Sequence, residues 1–247
     1  MTAPLPLAYG LFLVVLRSSA LVAAAPVFSA RAVPVRARLA LGLVLGFAVW
    51  SGAGSPTPGV PATLGALLAA AVGETVLGLS AGLGARLVLE AALGAGQAAA
   101  LSMGLGYGAV LDPTSGAEST AIGELLAMLA LASCVALGFH REAVLWLARS
   151  VVAQPPGAPL SWEHLLHGVL TQGLLGTALA VRLAFPMLGA AVFGHAVLGV
   201  LSRLTPQLNM GSLGFAASLL AGGAALFAVA PAASLLAAQM ATAALGR

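Results

Sequence analysis

The sequence predicts an all-α, polytopic integral membrane protein, and three observations carry that expectation. Of its 247 residues, 60% are hydrophobic and only 7% are charged, against about 25% charged in an ordinary soluble domain. Apolar runs of roughly twenty residues, the length that crosses a bilayer as a helix, recur along the chain. Proline, glycine and polar clusters separate them and mark the turns. The length allows roughly six to eight spans. No stretch has the composition of a soluble domain, so one membrane unit, 1–247, is expected.

Charge excludes several classes. All ten basic residues are arginine and the net charge is only +3, scattered as helix ends and interfaces require, which is no footprint for nucleic acid. The single cysteine, Cys134, lies in LALASCVALGF and reads as a small buried hydrophobe. Met1–Leu7 lacks a basic region and Arg17 interrupts the apolar run behind it, so no signal peptide is expected.

The first span is expected over Leu5–Phe28, bounded by Pro26. Ser29–Arg38 is the most basic stretch, with Arg31, Arg36 and Arg38, and marks a cytoplasmic loop by the positive-inside rule. The N-terminus then lies on the opposite side. Leu39–Trp50 is short for a span unless it borrows the arginine stems. SGAGSPTPGVP, 51–61, is a turn. Spans are expected over Ala62–Leu83, with Glu74 in its middle, and over Leu87–Val110, with Arg86 and Glu90 at its start. Ile122–Phe139 is apolar after Glu124, His140–Glu142 is a polar knot, and Ala143–Val152 is amphipathic. QPPGAP, 154–159, ends it. Trp162–Phe185 follows, with Ser161 as N-cap and Arg182 near its C-terminal end. Pro186 is expected to open a separate segment to Leu204. Thr205–Asn209 is a second polar break, Leu213–Ala230 a clean apolar helix, and Pro231–Arg247 a last helix.

The polar break inside Leu101–Gly123, LSMGLGYGAVLDPTSGAESTAIG, organises the chain. Non-helical backbone in so apolar a protein is either a loop at the membrane surface or a re-entrant segment lining a water-filled space. Position alone favours the surface turn.

Arg17, Glu74 and Glu90 sit in or near apolar runs, where a lipid-facing charge costs about 2.5–3.5 kcal/mol. They must face protein, one another or water. The 31 glycines point the same way, because small residues let helix backbones approach closely. Runs such as Gly78-Leu79-Ser80-Ala81-Gly82 supply them at helical spacing.

Familiar chemistry does not assemble. GLGYG, 104–108, lacks the strand, spacing and Lys-Ser/Thr of a phosphate loop. Ser115 lacks a Gly-x-Ser setting, and nothing ties His140 or His195 to it. His164 and His167 with Glu163 make a poor metal set. No enzyme and no cofactor is expected.

Three segments together resemble one family, the flagellar biosynthetic protein FliR. PVFSARAVPVRARLALGLVLG (26–46) resembles its N-terminal signature, MGLGYGAVLDPTSG (103–116) its Gly-rich Asp-Pro-x-Ser-Gly segment, and LTPQLNMGSLGF (204–215) its Pro-Gln-Leu-Asn segment with the Gly-Phe that follows. They stand in the family's order and cover most of the chain. Two departures stand out: Ala117-Glu118-Ser119-Thr120 is more polar than the family's Val-Pro stretch, and Gly138-Phe139-His140 replaces Asn-Gly-His.

The resemblance implies a subunit of the type III protein-export gate in the bacterial inner membrane, at the flagellar basal body. Its fold would be tightly packed helical hairpins with broken helices and a re-entrant loop. An N-terminal part, 1–185, would carry the plug loop and 186–247 would form a C-terminal hairpin. Partners would be the FliP- and FliQ-type companions, an FlhB-type switch protein, unfolded export substrates in transit and membrane lipid. The plug would comprise Gly106, Tyr107, Asp112, Pro113, Ser115 and Gly116. Arg31, Pro34, Pro206, Gln207, Asn209, Gly214 and Phe215 would serve assembly and packing. The virulence type III homologue is the alternative of like mechanism, and a proton-coupled small-solute transporter using Glu74 and Glu90 the alternative of another class.

Overall fold

The structure, a computed structural model, describes residues 4–30, 33–105, 120–204 and 210–246, with main chain alone at 201, 204 and 210–213. The described residues form helices and no strand. In chain order these are α1 (Pro4–Ala24), α2 (Val35–Gly52), α3 (Leu64–Ser102), α4 (Ala121–Ala136), α5 (Phe139–Ala153), α6 (Trp162–Leu204) and α7 (Met210–Gly246). They supply two compact units: Met1–Leu87 with Cys134–Gly173 and Met240–Arg247, and Val88–Ser133 with Leu174–Gln239.

In the first unit α1 is the inner helix. Over half of its apolar window is buried, 56%, against 17% for α2. Proline at Pro4 and Pro6 suits its first turn, where backbone N–H groups lack intrahelical partners anyway. Glycines four residues apart, one helical turn, let both neighbours close on it. On α2, a methyl at Gly42 would fall 2.7 Å from Ser19 Oγ, and one at Gly46 would fall 2.6 Å from Ser18 Oγ. The Ser18 hydroxyl donates to the Gly42 carbonyl at 2.7 Å. On α3, Gly78 lies against the Arg17 carbonyl and Gly82 against Ala24. Helix α5 buries Phe139, Ala143, Leu147 and Val151, every fourth residue, as its amphipathic sequence predicts.

The core of the second unit is built on alanine. Ala92, Ala99 and Ala100 of α3 have no exposed surface, and Leu126, Ala130 and Met187 are equally enclosed. A methyl at Gly96 of α3 would fall 2.7 Å from Gly123 Cα of α4, so the two backbones touch there. Met103 is fully buried, and a methyl at Gly222 of α7 would fall 2.5 Å from its Cγ. The Ser218 hydroxyl reaches the Met103 carbonyl at 3.4 Å.

Four boundaries differ from the sequence expectation. The apolar pattern predicts two spans over 62–83 and 87–110, but α3 is one helix of 39 residues to Ser102. Its glycines each lower helix propensity by only about 1 kcal/mol, and no proline interrupts it. Pro186 and Pro231, expected to open new segments, both lie inside continuous helices, α6 and α7. A helical proline costs about 3 kcal/mol; beside Pro186, Leu183, Ala184 and Met187 are buried, and their packing offsets it. The basic loop ends earlier than the sequence suggests, since α2 begins at Val35 and takes up Arg36 and Arg38. The short apolar segment thereby gains its missing turn.

The joined segments lower the span count. Among the described residues five helices are long and apolar enough to cross a membrane, or six if the bent α4–α5 pair is one span. At 1.5 Å per residue, α6 with 43 residues is about 64 Å long, roughly twice the ~30 Å hydrocarbon core.

Candidate functional site: a buried ion pair and the roots of the polar break

Two of the awkward charges find each other. Arg17, from the middle of α1, donates through Nε to Glu74 Oε2 of α3 at 2.6 Å. Arg17 has no exposed surface and Glu74 only 4%. Gly78 lies one turn beyond Glu74 and, having no side chain, brings α3 onto the Arg17 carbonyl. The remaining polar atoms are also served. Arg17 Nη1 donates to Ser150 Oγ of α5 at 3.2 Å. Nη2 donates to the Gln154 carbonyl at 3.1 Å. The Gly157 N–H donates to Glu74 Oε1 at 2.9 Å. Gly157 holds a φ of 81°, a left-handed conformation that costs glycine nothing, and the turn aims its N–H inward.

A buried ion pair tolerates its lost hydration only when its remaining donors and lone pairs are bonded. Here four segments, α1, α3, α5 and the turn after it, converge to bond them. With both Glu74 oxygens engaged, the carboxylate is a structural acceptor, and this disfavours a proton-coupling role. Glu90, its expected companion, is exposed on α3. The sequence flags Arg17 and Glu74 singly. Sequence reasoning misses their partners Ser150, Gln154 and Gly157, whose one signal is the glycine inside QPPGAP.

The residues expected to form a plug, Gly106, Tyr107, Asp112, Pro113, Ser115 and Gly116, lie outside the described residues, as do Arg31, Pro206, Gln207 and Asn209. The described ends of the first break are well formed. At the close of α3, Leu105 N–H bonds the Ala100 carbonyl at 2.9 Å and Gly104 N–H bonds Leu101 at 3.1 Å. Gly104 has a φ of 81°, which makes this a glycine-terminated Schellman cap. At the far end, Thr120 Oγ1 accepts the Gly123 N–H at 3.2 Å and so caps α4.

The other expected residues are dispersed. Pro34 is exposed at the start of α2 and its carbonyl accepts the Ala37 N–H at 3.0 Å. Arg38 turns back on this loop, donating to the Val33 carbonyl at 3.0 Å and the Ala30 carbonyl at 2.9 Å. Gly214 packs near Leu198 on α6, and Phe215 is half exposed. Among the described residues no three His, Cys, Asp or Glu side chains gather into a set able to hold a metal.

Fold and site together define a polytopic helical membrane protein whose buried charges fasten helices to one another. The family model of the bacterial export proteins, family 1, matches residues 8–244. The flagellar biosynthetic protein FliR of Escherichia coli is 30% identical over 220 residues, covering 87% of this chain and 82% of that protein. The FliR of Pectobacterium carotovorum is 27% identical, covering 83% and 78%. The FliR of Caulobacter vibrioides is 23% identical, covering 80% and 79%. The chain belongs to this family of bacterial export proteins and, within it, is of the flagellar FliR type. Membership makes it a membrane subunit for flagellar protein export, and the small-solute transporter reading gains no support.

Proposed function

We propose that this chain is the FliR-type subunit of the flagellar type III export gate, shaping and plugging the channel by which unfolded flagellar subunits cross the inner membrane. The family match across 8–244, with flagellar relatives over most of the chain, carries the reading. Its place would be the basal body, beside FliP- and FliQ-type companions and an FlhB-type switch protein. The whole chain acts as one gate domain, with 1–185 carrying the plug and 186–247 the C-terminal hairpin.

The physical arrangement supports this. Large apolar side chains crowd the exposed surface: Phe185 is 73% exposed, Phe193 71% and Phe227 86%. Helices about twice as long as the hydrocarbon core is thick need cover beyond lipid alone, and companion subunits supply it. Transport needs no chemistry from this chain. Within the polar break Asp112 fixes the turn by accepting backbone N–H groups, and Pro113 stiffens it. At the second break Pro206 interrupts the C-terminal hairpin, and Gln207 and Asn209 bond backbone or neighbours, because amides in a dry site need partners.

Native mass spectrometry of the tagged chain, co-expressed with both companions and extracted in mild detergent, tests the reading. One large complex holding a single tagged chain is expected. A stable species of this chain alone, with the companions present in the membrane but absent from it, counts against the reading.

A further inference from the structure

A cavity of about 270 Å³ is lined by Ser150, the residue whose hydroxyl accepts from Arg17 of the ion pair. Helix α5 lines it with Trp146, Arg149 and Ser150, and the loop after α5 adds Gln154. Leu245 and Gly246 bring the C-terminal end of α7 to its edge. Trp146, Arg149 and Ser150 are three and four residues apart and share one helix face.

The charges in this cavity are unbalanced. The Arg17 charge behind Ser150 is neutralised by Glu74. The Ser150 hydroxyl is occupied, accepting from Arg17 and donating to the Leu147 carbonyl at 2.8 Å. Arg149 is exposed and makes no hydrogen bond or ion pair among the described residues. The indole N–H of half-buried Trp146 is likewise unpartnered among them. A cation and a neutral donor therefore line the cavity with no hydrogen-bond partner among the described residues, while the last carbonyls of α7 offer acceptors that lack intrahelical donors. On the stripe next to Arg149, Leu145 is 36% exposed and Val152 75% exposed, seven residues apart and so on one side of α5.

From this geometry we infer a binding site for a glycerophospholipid headgroup, with its phosphodiester on Arg149 and Trp146. A guanidinium fork matches two phosphate oxygens, and indole N–H groups serve the same level of a membrane. Hydroxyl donors of the headgroup reach the α7 carbonyls, and an acyl chain lies along Leu145 and Val152. The site is a property of this chain's own fold and stands apart from the export-gate reading.

The test is native mass spectrometry of the full chain, extracted in mild detergent, stripped of lipid and resupplied with one probe at a time. The probes are phosphatidylglycerol, the matching diacylglycerol and inorganic phosphate. One retained phosphatidylglycerol per chain is expected, with neither other probe held. Arg149→Ala should weaken retention about tenfold, as loss of a charge-assisted contact does; Trp146→Phe should weaken it less, and Arg149→Lys should recover part. Arg141→Ala, which removes an exposed arginine already paired with Glu142, should change nothing. Because Arg149 is exposed, the Arg149 variants should keep the melting temperature of the parent. Equal retention by Arg149→Ala, or an equal effect of Arg141→Ala, overturns the site. Diacylglycerol held as well as phosphatidylglycerol overturns the phosphate contact, and inorganic phosphate held as tightly overturns the lipid as its source.

Discussion

The Arg17 guanidinium and the Glu74 carboxylate, 57 residues apart in sequence, meet at 2.6 Å with almost no exposure to solvent. This pair is the point through which α1, α3, α5 and the turn at Gly157 are tied. In a chain with so few charges, it accounts for two that would be costly on lipid-facing helices.

Removing one partner leaves the other buried and bare. Arg17→Met is expected to destabilise the chain by about 3–5 kcal/mol, the usual cost of orphaning a buried charge. Glu74→Gln should cost less, because an amide still accepts from the Gly157 N–H. The double variant Arg17→Met with Glu74→Met should be markedly less damaged than the sum of the two single methionine variants. Thermal melting of the purified chain in detergent, run as a double-mutant cycle, measures this coupling.

The glycines divide into two groups with opposite expected responses. Gly46→Val drives a branched side chain into Val15 and Ser18 and should cost at least the ~1–3 kcal/mol of overpacking. A methyl at Gly168 of α6 would meet nothing within 4 Å, so Gly168→Ala in the isolated chain should gain about 0.5–1 kcal/mol from helix propensity alone. The two melting temperatures should move in opposite directions. A shared direction would show that propensity, and not close approach, governs both positions.

Met103 and Gly222 form a size-matched pair. Gly222→Ala collides with the buried methionine and is expected to destabilise the second unit by about 1–3 kcal/mol. Adding Met103→Ala to it should restore part of that loss, although Met103→Ala alone costs about 2–5 kcal/mol by leaving a cavity. Limited proteolysis of the single and double variants reports the rescue.

The break between α3 and α4 should act as a seal. On the proposed plug reading, Asp112→Ala with Pro113→Ala removes a carboxylate acceptor and a proline-fixed φ from this segment. An increased ion leak is expected from cells or vesicles carrying the complex, with the complex itself still assembled. Unchanged conductance in an intact complex counts against a plug at these residues.

Much of the fold is legible in the sequence, because it rests on composition and pattern. Low charge and repeated apolar runs specify membrane helices, and the ordered signatures specify the family. The amphipathic α5 is visible in its apolar period. What is not legible depends on distance in space. Arg17 and Glu74 are conspicuous as charges, but nothing local says that they meet. Gly42 and Gly46 stand one turn apart in GLVLG, a readable packing signal whose partner α1 only the fold reveals. Pro186 and Pro231 mislead, because proline is a strong breaker by its own covalent geometry and tertiary packing overrides it. Thr120 reads as a polar departure in a loop, whereas in the fold it caps α4.

Secretion tests the central claim most directly. In the bacterium that encodes this chain, its gene is deleted and the flagellar subunits released into the medium are measured, with and without the chain restored. The export-gate account predicts that secretion is lost on deletion and returns with the intact chain. It also predicts little recovery with Arg17→Met, whose fold is compromised. Undiminished secretion in the deletion strain would contradict the account.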